Sequence, residues 1–64
     1  MNESLVNFRN YKNLTQKNMA ELIKTTLSYY SKIELGLKNP SYNFIVKFKV
    51  AFPTAKIDEI FFKN

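Results

Sequence analysis

Residues 14–41 read LTQKNMAELIKTTLSYYSKIELGLKNPS, and this stretch decides the fold. Thr15, Thr26 and Ser41 carry side chains that can accept hydrogen bonds from the free N–H groups at the start of a helix. Gly36 is a natural helix stop because glycine adopts the left-handed conformation without strain. The stretch therefore predicts two short helices joined by a tight turn, followed by a loop that opens another helix.

Helical spacing continues on both sides of this stretch. Apolar residues recur three or four positions apart, and no segment alternates cleanly enough for a strand hairpin. Asn13 tolerates the left-handed conformation that ends the first helix, and Pro53 ends the helix that Ser41 starts. We predict an all-α fold of five helices, over residues 3–12, 16–23, 27–35, 42–52 and 57–62.

Composition limits the class of protein. The 64 residues suffice for one domain, residues 1–64, and a hydrophobic content of 45% argues against disorder. Cysteine is absent, the first residues lack a signal-peptide pattern, and no apolar run approaches the length of a membrane span, so we expect a cytoplasmic protein. The net charge of +5 suits a polyanion such as nucleic acid, or simply keeps the chain soluble.

The third predicted helix has two different faces. At 100° per residue, Tyr30 and Ile33 lie on the side expected to be buried. The opposite arc, expected to be exposed, contains Leu27, Ser28, Ser31, Lys32 and Leu35. Two leucines, two serines and a lysine are unusual for a purely solvated surface, but they suit a surface that meets the edges of DNA bases.

The order and spacing of Leu14-Thr15-Gln16, Ile33-Glu34, Gly36 and Asn39-Pro40-Ser41 resemble the lambda-repressor/Cro-like helix-turn-helix family. The resemblance covers most of the chain. It implies a compact domain that binds duplex DNA, with the second and third helices forming the helix-turn-helix and the third entering the major groove.

The resemblance assigns DNA contacts residue by residue. It implies that phosphates are bound at the start of the second helix and in the loop before the fourth, by Thr15, Gln16, Lys38 and Asn39. Main-chain N–H groups of that loop are expected to contribute, and Lys12 and Lys17 either extend this footprint or are ordinary surface lysines.

Base contacts are implied for Leu27, Ser28, Tyr29 and Lys32. Lys32 can donate to guanine, Leu27 can pack on a thymine methyl group, Ser28 discriminates weakly, and Tyr29 on the flank can reach a phosphate. None of the four offers a planar bidentate contact, so we expect DNA shape to carry more of the specificity than usual. The alternative for each of these side chains is that it is exposed but contacts no base.

Arg9 and Glu34 match a family pair that forms an internal salt bridge between the first and third helices, rather than two solvated charges.

The chain departs from the family pattern at three places. Lys24 stands where a turn glycine is common and so is expected to adopt a positive φ or alter the turn. Tyr30 replaces an aliphatic residue and must find a partner for its hydroxyl. The segment 52–56 is one residue longer than usual.

No catalytic site, metal site, cofactor or small-molecule ligand is expected, because the chain has no His, no Cys and one Gly.

We predict a small transcriptional repressor that binds an inverted-repeat operator as a homodimer, with Val46, Val50 and Phe62 at the dimer interface. The alternative is an antitoxin-like module that masks a partner protein, with DNA binding secondary. A membrane-surface peptide is disfavoured because the lysines are scattered.

Overall fold

The computed structural model describes residues 1–62, and within them the fold is all-helical, as predicted. The five helices are α1 Glu3–Tyr11, α2 Gln16–Ile23, α3 Leu27–Leu35, α4 Tyr42–Ala51 and α5 Ile57–Phe61. The bounds of α2 and α3 are those predicted. The helices α1, α4 and α5 each end one residue earlier, because Lys12, Phe52 and Phe62 are the C-cap residues. Phe52, with φ of −132° and ψ of 77°, has left the helical region, which is disfavoured for a residue that precedes a proline such as Pro53.

The start of α2 is fixed by a reciprocal cap. The Thr15 side chain accepts from the Asn18 N–H at 3.0 Å, and the Asn18 side chain accepts from the Thr15 N–H at 3.4 Å. The side chains of Thr26 and Ser41 cap α3 and α4 by accepting from the N–H groups of Tyr29 and Phe44, each at 3.1 Å. A cap of this kind stabilises its helix by about 1 kcal/mol, so each start is specified by residues within one turn of it.

Aromatic rings from three helices form the centre of the core. The Phe48 ring of α4 lies 5.4 Å from that of Phe8 on α1 and 5.0 Å from that of Phe61 on α5, the second pair edge to face. Around them lie buried side chains from every helix, including Leu5, Met19, Ile23, Ile33 and Ile60. The helices α2 and α3 pack against each other, α2 also contacts α4, and α1 contacts α3 and α5. The core thus supports the helix pair α2–α3 from behind.

Three residues turn the chain through the left-handed region: Asn13 with φ of 58°, Lys24 with φ of 70° and Gly36 with φ of 80°. Of the two outcomes expected for Lys24, a positive φ or an altered turn, the structure shows the positive φ. Its carbonyl oxygen accepts from Lys47 Nζ at 3.3 Å, which ties the turn to α4. At Gly36 a side chain would also crowd the backbone nitrogen of Met1, at 3.3 Å from an added Cβ.

Candidate nucleic-acid interface

The exposed side of α3 carries the residues predicted to read bases. Leu27, Ser28 and Lys32 are all exposed, and we call these three residues the recognition face. Leu27 is 46% exposed and Leu35, one turn beyond Lys32, is 51% exposed, a large apolar area for the surface of a single helix. Ser31 differs from the prediction of a uniformly exposed arc. It is half-buried, and its hydroxyl donates to the Ser28 carbonyl at 3.1 Å, so it is turned back onto the helix.

Tyr29 borders the recognition face but packs inward. Its ring meets that of Phe44 at 5.7 Å, and its hydroxyl oxygen accepts from the Ser41 N–H at 3.2 Å. The side chain is half-buried and joins α3 to the start of α4. The hydroxyl hydrogen is not used in the bond to Ser41, so Tyr29 can still donate to a phosphate at the edge of the recognition face.

The two residues predicted to anchor phosphates at the start of α2 are placed differently. Thr15 is exposed, and its hydroxyl accepts the cap bond from Asn18 while keeping a hydrogen to donate. Gln16, the first residue of α2, is half-buried, and its Nε2 donates to Glu34 Oε1 at 2.9 Å. The bond links the N-terminus of α2, where the helix dipole favours an anion, to α3.

Glu34 is the centre of a hydrogen-bond network that joins three helices. Its side chain accepts from Arg9 Nε of α1 at 2.6 Å, from the Tyr30 hydroxyl at 2.5 Å and from Gln16. Arg9 Nη2 adds a longer contact at 3.3 Å, and Arg9 Nη1 donates to the Leu14 carbonyl at 2.9 Å. The structure thus joins the predicted pair of Arg9 and Glu34 and supplies the partner that the Tyr30 hydroxyl required. No buried side-chain nitrogen or oxygen among residues 1–62 lacks a hydrogen-bond partner.

The network keeps Glu34 charged although only 3% of the residue is exposed. Burial by itself would raise the pKa of the Glu34 carboxyl, but the hydrogen bonds from Arg9, Tyr30 and Gln16 outweigh it, so that pKa lies below its usual value. The hydrogen bond to Glu34 raises the pKa of Arg9. Burial, and then the bond to Glu34, raises the pKa of Tyr30, which therefore remains a neutral donor. The Glu34 carboxylate and the Arg9 guanidinium therefore form an ion pair between α3 and α1 that is largely shielded from solvent.

The loop between α3 and α4 contributes exposed polar side chains. Lys38 and Asn39 are both exposed. The loop's first N–H groups are used internally, because those of Leu37 and Lys38 donate to the Lys32 carbonyl at 2.9 and 3.3 Å to close the end of α3. The Ser41 N–H is bonded to Tyr29. These three main-chain groups, which the resemblance offered to DNA, are therefore engaged in the free protein, whereas the side chains of Lys38 and Asn39 remain accessible.

The three residues predicted for a dimer interface are all exposed. Val46 and Val50, which is 75% exposed, line a groove of about 150 Å³ between α2 and α4, beside Leu22. Phe62, 63% exposed, ends α5, which packs against α1. Val46 and Val50 thus share one groove on α4, and Phe62 is the C-cap residue of α5.

Among residues 1–62, no group of three or more acidic, His or Cys side chains is gathered as it would be to hold a metal ion. No helix in the same part of the chain is both long enough and apolar enough to cross a membrane.

The short helices α2 and α3, the left-handed turn between them and the exposed face of α3 define a helix-turn-helix domain. A family model described as helix-turn-helix matches residues 7–55, most of the chain. The chain therefore belongs to this helix-turn-helix family, of the lambda-repressor/Cro-like type, whose members are DNA-binding regulators of transcription. No match was found among curated proteins or among solved structures.

Proposed function

We propose that the chain is a sequence-specific repressor of transcription that binds an inverted-repeat operator in duplex DNA as a homodimer, with residues 1–64 forming one DNA-binding domain. The observation that carries the proposal is the recognition face. Its apolar and cationic side chains stand exposed on the second helix of a helix-turn-helix, on a chain of net charge +5. Leu27 and Lys32 have the chemistry to contact thymine methyl groups and guanine acceptors.

The remaining predicted contacts form two groups around this face. Thr15 and Gln16 start α2, and Lys38 and Asn39 lie in the loop after α3. We assign these four side chains to backbone phosphates, which position the domain but do not read sequence. Repression would follow from occupancy of the operator alone.

A homodimer is proposed because one recognition helix reads only a few base pairs. We assign the two-fold contact to Phe62, whose exposed ring lies at the end of α5. Val46 and Val50 were predicted with it but lie beside Leu22. They are the second candidate surface.

Binding to duplex DNA at a series of salt concentrations tests the proposal. A dimer that neutralises about 6–10 phosphates should bind more weakly as salt rises, with a slope of log K against log salt close to −0.9 per phosphate. Selection from a pool of random duplexes should then yield inverted repeats with half-sites about one helical turn apart. A flat salt dependence would contradict DNA binding, and a selected pool without a shared sequence would contradict sequence specificity.

A further inference from the structure

We propose that Tyr30 is a positioning residue for the DNA anchor Gln16. Through the carboxylate of Glu34, the Tyr30 hydroxyl holds the Gln16 amide so that an N–H, rather than the amide oxygen, is presented to a backbone phosphate. The inference rests on the proposed function, because it concerns how one assigned phosphate contact is oriented. Tyr30 itself touches no DNA, since it is completely buried.

The chemistry of the Gln16–Glu34 contact fixes the orientation of the amide. An ionised carboxylate only accepts hydrogen bonds, so Gln16 must turn its NH₂ group, and not its oxygen, toward Glu34 Oε1 at 2.9 Å. That NH₂ group carries two hydrogens, of which Glu34 takes one. Because Gln16 is only half-buried, the second hydrogen is available to an acceptor outside the protein. A phosphate oxygen is such an acceptor.

Glu34 can hold Gln16 in this way only if the carboxylate itself is fixed. Oε2 accepts from both Arg9 Nε and the Tyr30 hydroxyl, at 2.6 and 2.5 Å, whereas Oε1 receives Gln16 and the longer Arg9 contact. Arg9 approaches from α1 and Tyr30 from within α3, so the two donors hold Oε2 from different elements. Without the Tyr30 hydroxyl, Oε2 would keep only its bond from Arg9 Nε, and beside Gln16 the sole other donor to Oε1 would be Arg9 Nη2 at 3.3 Å, so the carboxylate would be free to turn Oε1 away from Gln16.

The charge balance of the network favours an anion next to Gln16. A carboxylate beside a phosphate would normally repel it, but here Arg9 neutralises Glu34, and the neutral Tyr30 hydroxyl adds a third donor without charge. Gln16 also begins α2, where the unpaired N–H groups of the first turn attract a phosphate. The carboxylate can therefore orient the anchor without cancelling its attraction for DNA.

A double-mutant cycle with Tyr30→Phe and Gln16→Ala tests the inference on duplex DNA. The phenylalanine keeps the buried ring and removes only the hydroxyl. We expect Tyr30→Phe to weaken binding about 2- to 10-fold, because it loosens the bond from Gln16 to a phosphate without removing it, but to have no further effect once Gln16 is alanine. Circular dichroism and thermal unfolding of each variant establish that the affinities refer to folded protein. Equal losses in both backgrounds, or no loss in either, would overturn the inference.

Tyr29→Phe is the matched control. It removes a hydroxyl from the neighbouring tyrosine of the same helix, but that hydroxyl contacts Ser41 and not Glu34. Any effect of Tyr29→Phe on DNA affinity should be the same whether residue 16 is glutamine or alanine. If Tyr29→Phe coupled to Gln16 as strongly as Tyr30→Phe, the specific path through Glu34 would be wrong.

A measurement on the free protein separates the inference from DNA binding itself. Gln16 is the only glutamine in the chain, so selective ¹⁵N labelling of glutamine gives a single side-chain NH₂ pair in an NMR spectrum. Its two protons should be widely separated in shift, and Tyr30→Phe should move them toward the values of a free glutamine, whereas Tyr29→Phe should not. An unchanged pair in Tyr30→Phe would overturn the inference alone. If the unmodified chain bound no duplex DNA, the proposed function would fail together with the inference.

A second measurement needs no substitution and so remains decisive if Tyr30→Phe does not fold. In the unmodified chain, acidification protonates Glu34, the carboxyl between Arg9 of α1, Tyr30 of α3 and Gln16 of α2. The Gln16 NH₂ signals and the Tyr30 hydroxyl-bearing carbon should then shift with one common midpoint. Different midpoints, or Gln16 signals that do not move, would overturn the connection between the two residues.

Discussion

The hydroxyl oxygen of Tyr29 and the backbone nitrogen of Ser41 lie 3.2 Å apart and form a hydrogen bond between α3 and the residue that precedes α4. Ser41 is itself the cap of α4, so the bond ties the start of α4 to α3 across the loop that carries Lys38 and Asn39. The bond therefore restrains a candidate phosphate-binding loop at its far end, while the contacts of Leu37 and Lys38 with the Lys32 carbonyl restrain it at its near end.

Tyr29→Phe should loosen this loop without unfolding the domain. The variant keeps the aromatic ring of residue 29 packed against Phe44 and removes one hydrogen bond between uncharged groups. The loss should lower the free energy of unfolding by about 0.5–1.5 kcal/mol. The Ser41 amide should exchange with solvent faster, as measured by hydrogen exchange, while the amides of Met19 and Phe48 in the core change only as much as global stability does. An unchanged exchange rate at Ser41 would show that the Tyr29 hydroxyl does not restrain the loop in solution.

Lys32→Ala should relax base preference at one operator position. Lys32 is exposed on the recognition face, so its removal should cost about 1–3 kcal/mol on the preferred sequence and much less on random duplex. Gln16→Ala should instead weaken all sequences about equally, because phosphates are the same at every position. Both are measured as dissociation constants on selected and random duplexes.

Lys56→Ala is the matched control for charge, since Lys56 is an exposed lysine at the start of α5 that forms an ion pair with exposed Glu59 at 3.7 Å. It removes the same charge as Lys32→Ala but should not change base preference. If Lys32→Ala lowered binding to selected and random DNA by the same factor, Lys32 would be a phosphate contact and the recognition face would be assigned incorrectly.

Phe62→Asp should convert a dimer to a monomer and leave the helical fold intact. The residue is 63% exposed, so a charge there costs little in the monomer but is expensive inside a two-fold interface. Sedimentation at micromolar concentration measures the association state. Binding to a full operator should weaken far more than binding to a single half-site.

Val50→Asp is the control for this experiment, because Val50 is also exposed and lies in the groove with Leu22. If Val50→Asp dissociated the dimer and Phe62→Asp did not, the two-fold contact would lie on α2 and α4. A monomeric unmodified chain would remove the homodimer, and a stoichiometric second protein that co-purified with it would favour the antitoxin-like alternative.

Acid should destabilise the domain through Glu34. Because the folded-state pKa of this carboxyl lies below its usual value of 4.5, its stabilising contribution is complete above about that pH and is lost as the pH falls through the lower folded value. Arg9 and Tyr30 stay protonated throughout this range, since the pKa of each is raised. Thermal unfolding between pH 7 and pH 3 should therefore show a fall in stability that is smaller in Glu34→Gln.

Glu59→Gln, on the exposed side of α5, should retain the fall seen in the unmodified chain. A Glu34→Gln profile parallel to that of the unmodified chain would contradict this role.

The sequence by itself determined the helices, the turns and the family. The caps Thr15, Thr26 and Ser41 act on N–H groups only three residues away, and Gly36 needs only its own backbone freedom to end α3. Such local interactions can be predicted without knowledge of the tertiary structure, which is why the predicted bounds of α2 and α3 are correct. The exposure of Leu27 and Lys32 followed equally from helical period alone.

Only the tertiary structure decided how the candidate site is held. The bonds of Gln16 to Glu34, Arg9 to Glu34 and Tyr29 to Ser41 join residues 18, 25 and 12 positions apart. Of these, the resemblance indicated only the pair of Arg9 and Glu34. The other bonds depend on how the helices cross and on which rotamers the packed core permits. Neither can be predicted from the periodic spacing of apolar residues along a helix. For the same reason the groove that Val46 and Val50 line beside Leu22 could not be predicted from the sequence, because it exists only after α2 and α4 have packed against each other.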